Sequence, residues 1–116
     1  MAVGERIRAI EAVLDDPRAA SDADLIDTLV ELERIQALLA LRTAAVVREC
    51  DSRLLCTSEG SVSTGTWLAE KCEQRRSAAS GRVREARNLA HMPETVSAAE
   101  AGDLSRAKVE LLARAR

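Results

Sequence analysis

The chain of 116 residues is 47% hydrophobic and 31% charged, has a formal net charge of −2, and carries one aromatic residue, Trp67. That length holds one small core, and 21 Ala, 14 Leu and 15 Arg are strong helix formers, so an all-α domain is expected. One aromatic ring excludes base-stacking platforms, and one histidine leaves too few ligands for His-rich metal centres and for HNH-type or metalloprotease-type catalysis.

The longest apolar run, Ala37 to Leu41, is far shorter than the roughly 20 residues of a membrane span. The amino-terminal residues show no secretory apolar core, so a cytoplasmic protein with no membrane partner is expected. Cys50, Cys56 and Cys72 lack CxxC spacing and read as buried or inert thiols, with no metal site and no cofactor implied. Charge is divided unevenly. Residues 1–62 hold seven Arg against twelve acids, a net of −5, whereas residues 63–116 carry a net of +3.

In chain order, Ile7, Ile10, Val13 and Leu14 predict a short helix from Gly4 to Asp15, ended by Asp16-Pro17. Ser21 then has the character of an N-cap, with Asp22, Asp24 and Asp27 at the positive end of the next helix dipole. With no Gly or Pro before Gly60, that helix is predicted to run over 22–55. Along it Leu25, Leu29, Leu32, Gln36, Leu39, Thr43, Val46 and Cys50 alternate steps of four and three, the period of a coiled-coil seam. Ile26, Val30, Ile35, Leu38 and Leu41 widen the apolar surface, so more than one neighbour must cover it. Two readings stay open: an intramolecular bundle helix, or a homodimer through the Leu25–Cys50 helix.

Residues 56–65 form the clearest loop, with Ser61 or Ser63 as the cap of a third helix from Thr64 to Cys72 that uses Trp67 as a core anchor. The fourth predicted helix, Arg75 to His91, sets Ala79, Val83, Ala86 and Ala90 on one face. On the other side lie Ser77, Ser80, Gly81, Arg84, Arg87, Asn88 and His91, while Glu85 falls off both faces. Pro93 opens a fifth helix that Gly102 stops. Ser105 caps the last, with Leu104 and Val109 as a hydrophobic staple. Residues 93–116 thus form two short helices. The last meets the carboxyl end without a stop signal, so the expected single domain of residues 1–116 reads as incomplete there.

No nucleophile–base set and no phosphate-binding glycine motif can be assembled, so the chain as it stands is not read as an enzyme. What remains is the segment 63–91, a short helix, a tight Glu73-Gln74-Arg75 connection and a basic helix. That is the outline of a helix-turn-helix in a small helical bundle. Its candidate contacts to duplex DNA are Lys71, Arg75, Arg76, Arg84 and Arg87 for phosphates, and Ser77, Ser80 and Asn88 for base edges.

Ser63, Trp67, Leu68, Ala69 and Glu70, then Val83, Arg84, Ala86, Arg87, Leu89 and Pro93, then Gly102, Leu104 and Ser105 stand in an order that resembles domain of unknown function 222. This is the thirteen-E-twelve repeat family of actinobacteria, and the likeness covers about residues 22–116. Members commonly carry an HNH endonuclease domain after the helical region, so the resemblance implies a role linked to nucleic acid. The chain stops before any HNH motif, so it could also be a truncated remnant of such a protein. It has Glu73-Gln74-Arg75 where the family has Gly-Leu-Ser, and Ser80 and Gly81 where Arg is frequent. Gly81 costs roughly 1 kcal/mol of helix stability relative to Ala.

Overall fold

The computed structural model describes residues 2–115, and among them the regular structure is helical throughout. Its elements are α1 (Val3–Ala9), α2 (Glu11–Asp15), a 3-10 turn (Pro17–Ala19), α3 (Asp22–Ser52), α4 (Leu55–Ser58), α5 (Thr64–Lys71), α6 (Arg76–Leu89), α7 (Pro93–Glu100) and α8 (Arg106–Ala115). The all-α bundle is therefore the fold, and no helix among the described residues is long and apolar enough to cross a membrane.

Local chemistry explains where three of the helices start. Ser21, Ser63 and Ser105 each accept a hydrogen bond from the backbone N–H three residues on, at 3.1, 3.1 and 3.2 Å. Helix ends follow the same local logic. At the end of α7, Gly102 has φ +86°, and the N–H groups of Asp103 and Gly102 return to the carbonyls of Ala98 and Ala99, a Schellman closure.

Two helices close on residues that carry a Cβ. Helix α3 stops at Ser52 rather than 55 because Leu54 turns left-handed, with φ +54°. Glu73 takes φ +52° after α5, while the Gln74 N–H returns to the Ala69 carbonyl. Each left-handed residue costs about 1 kcal/mol, so tertiary contacts must hold both reversals. Two further departures are local. The first predicted helix is bent into α1 and α2 at Ile10, and the predicted loop contains the single turn α4, which buries Cys56.

Helix α3 is the axis. At 31 residues it is roughly 46 Å long, nearly the 50 Å long dimension of the molecule. Helices α1 and α2 lie against its N-terminal half, where the Arg6 guanidinium pairs with Glu31. The remaining helices gather on its C-terminal half in two adjoining cores. One holds Leu41, Leu89, Ala99, Val109 and Ala113; the other holds Val47, Leu68, Ala79, Val83 and Ala86, with Ala44 touching both. Leu104 packs, half-buried, against the core that holds Val109. The radius of gyration, 16.5 Å, exceeds the roughly 13 Å of a compact chain this long, because half of α3 projects from the bundle as an arm.

The Leu25–Cys50 seam does not act as one buried line. Ile35, Leu38, Leu41 and Val47 are buried instead, while Leu25, Leu29, Leu39 and Val46 remain exposed. Trp67 packs half-buried at the edge of the second core, its indole N–H donating to Glu59. The α6 stripe is Ala79, Val83, Ala86 and Leu89; Ala90 is exposed because the helix ends before it.

Helices α5 and α6 approach closely at Gly65, where a Cβ would lie 2.6 Å from the Ser80 hydroxyl and 3.3 Å from its Cα. Gly65→Ala is expected to cost about 1–3 kcal/mol by overpacking, with partial recovery in the double variant with Ser80→Ala. Thermal unfolding checks this, and an unchanged midpoint for Gly65→Ala would rule out so close a contact.

Candidate nucleic-acid interface

The segment 63–91 folds as the two helices α5 and α6, joined through Cys72–Arg75. Three small residues, Gly65, Ala79 and Ser80, let the helix backbones meet, and Val83 and Leu68 fill the space beyond. The left-handed Glu73 reverses the chain at a place where a helix pair commonly uses glycine.

The predicted site residues fall into two groups. Arg75, Arg76, Ser77 and Arg84 are exposed. Arg75 is the N-cap of α6, its side chain caps nothing, and no acid stands in the first turn, so two guanidinium groups flank the positive end of the helix dipole. Arg84 lies two turns further along, on a shallow groove of about 240 Å3 between α6 and α8 that Gly81 and Arg114 also line.

The other group is engaged within the protein. Arg87 makes a bidentate pair with Asp51 of α3, Nε to Oδ2 and Nη2 to Oδ1, both at 2.8 Å. The Asn88 amide donates to the Ala113 carbonyl of α8 at 2.9 Å, and Ser80 sits in the α5–α6 contact. Lys71 is 3.0 Å from Glu59, so its charge is partly neutralised. Arg82 donates to Gln74 at 3.0 Å and spans the connection between the helices.

Asp51 is the residue that sequence reasoning missed. It accepts from the Thr64 hydroxyl at 2.7 Å as well as from Arg87, and so ties α3 to the start of α5 and the end of α6. Arg87 first, helped by Thr64, holds its carboxyl down from 3.8 to about 2 against the opposing effect of burial. The only advance signal is weak: Asp51 lies in the last turn of α3, where the negative end of the dipole disfavours an acid unless a cation meets it.

Glu85 behaves in the opposite sense. Half-buried between α6 and α8, its carboxyl is raised above the ordinary value by burial and then by Glu110, despite Arg106 and Arg82 nearby.

Of the three thiols, Cys56 is buried, Cys50 half-buried and Cys72 exposed. No group of three or more metal-ligating side chains occurs among the described residues. No family model, curated protein or solved structure matches the chain.

Because the Asp51 carboxyl is held below its ordinary value, it stabilises the fold above about pH 4 and loses that contribution as pH falls towards 2. Arg87 is 56% exposed and Asp51 only 16%, so solvent screening brings the effect down to about 1–2 kcal/mol. Asp51→Asn is expected to lower stability by that amount at pH 7, with the gap to wild type closing between about pH 4 and pH 2. Denaturant unfolding across that range is the check, and a gap independent of pH would contradict the pairing.

Proposed function

We propose that the chain is a non-catalytic helical module that binds the phosphate backbone of duplex DNA through the start and outer edge of α6. The observation that carries the reading is the exposure of Arg75 and Arg76 at the start of α6, whose first turn holds no acid, and of Arg84 two turns further along the same helix. The order of motifs resembling domain of unknown function 222 supports the same role. With Ser80 and Asn88 engaged between helices, the candidates for reading base edges reduce to Ser77, so the binding is backbone-led and weakly selective.

Three arginine–phosphate contacts imply a slope of about −3 in log K against log salt concentration. Arg75→Ala, Arg76→Ala and Arg84→Ala are each expected to reduce that slope by about one and to weaken binding similarly on unrelated sequences. Arg87→Ala is expected to act on stability instead. Gel-shift titrations are the measurement; no shift of duplex DNA at about 50 mM salt would end this reading.

A second reading, self-association through α3, is favoured by a separate observation. Ile26 and Leu29 on the arm of that helix are 63% and 61% exposed, and Val46 further along is 63% exposed. Light scattering is expected to show a mass that rises with concentration towards that of a dimer, and Leu29→Asp to hold the chain monomeric. A constant monomer mass in the unaltered protein would remove this reading and leave the DNA reading intact.

A further inference from the structure

The apolar face of the α3 arm has a specific chemistry. At 100° per residue, Ile26, Leu29 and Val30 continue the stripe formed further along by Ala37, Leu41, Ala44 and Val47. Helices α6, α7 and α8 cover Leu41, Ala44 and Val47. The N-terminal continuation is bare, because α1 and α2 pack on another side of the helix, around Thr28 and Glu31. Asp22 and Glu33 lie on the same stripe, one before and one after its apolar part, and both are exposed.

These two acids decide what can cover the stripe. If two copies laid the same stripe on each other antiparallel, about the middle of Leu25–Val30, Asp22 of each would face Glu33 of the other. A parallel pairing would set each acid against itself. Both arrangements set carboxylates opposite one another at each end of the contact, and facing like charges disfavour them. The occupant must therefore offer an apolar face bracketed by cations.

The outer face of α8 has that composition. Leu111, 60% exposed, is its outward apolar residue, with Lys108 exposed about one turn before it; Arg114 is exposed at one edge of that face, beside the groove it lines with α6, and Leu112, 36% exposed, lies towards the other edge. Neither cation has an ion-pair partner within 4 Å among the described residues. Along the axes, Asp22 and Glu33 are roughly 16 Å apart, and Lys108 and Arg114 roughly 9 Å. Two long flexible cationic side chains reaching outward span the difference. Run antiparallel, α8 sets Arg114 towards Asp22 and Lys108 towards Glu33, and brings its negative C-terminal end to the positive start of α3.

We propose that the chain forms a two-fold dimer in which the α3 arm of each copy, from Asp22 to Glu33, receives the outer face of α8 of the other. The inference rests on the self-association reading and names its two surfaces. Two-fold symmetry makes the contact twice, which moves the buried area towards the roughly 1,200 Å2 that a specific interface needs. It also joins the acidic and basic halves of two chains, as the opposite net charges of residues 1–62 and 63–116 favour.

The test uses the full chain in sedimentation equilibrium, with circular dichroism confirming that each variant keeps its helical content. Leu111→Asp is expected to abolish the dimer as Leu29→Asp does. Glu33→Lys and Lys108→Glu are each expected to weaken it tenfold or more, and the double variant to restore it to within about threefold of wild type. A dimer that survives Leu111→Asp, or charge reversals that simply add in the double variant, would overturn the α3–α8 pairing while leaving self-association standing. A monomer at every concentration would overturn both.

Discussion

A helix of 31 residues exposes more apolar surface than the short helices around it can cover, and the organisation of this protein follows from that imbalance. Helices α4 to α8 cluster on the C-terminal half of α3, where Leu41, Ala44 and Val47 offer a continuous face to two adjoining cores. The N-terminal half has only α1 and α2, which cover one side of it. Long shape, projecting arm and bare stripe are one fact seen three ways.

The bundle end of α3 depends on a polar junction rather than on size of side chain. With one aromatic residue and many alanines, the cores combine Leu and Val with Ala, and at Gly65 the backbones of α5 and α6 approach closely. Asp51 orients this packing by accepting from Thr64 and Arg87, which belong to the two helices of the α5–α6 pair. Arg87 is thereby held against the bundle, and Arg75, Arg76 and Arg84 remain as the outward cations. The same helix thus carries a structural arginine and solvent-facing ones a few residues apart.

Much of the fold was legible in advance. Caps at Ser21, Ser63 and Ser105, the stop at Gly102 and the apolar stripe of α6 all express contacts between residues three or four apart. The exceptions are informative. Leu54 and Glu73 adopt left-handed conformations that no local rule predicts for their side chains. The seam of α3 was legible as a period, but a period alone does not say which face a neighbour covers.

Of the candidate site, residue type and helix assignment were readable, while the partner of each side chain was not. Composition and spacing by themselves determined that the chain is all-helical, where most helices begin, and that positive charge collects around α6, because capping, periodicity and charge sums are local or additive. Only the tertiary structure decided that Arg87 belongs to Asp51, 36 residues away, that Asn88 belongs to Ala113, and that Ile26 and Leu29 of the arm face outward. Those outcomes depend on which helix faces come together in space, a property of the packed chain that no local window of it contains.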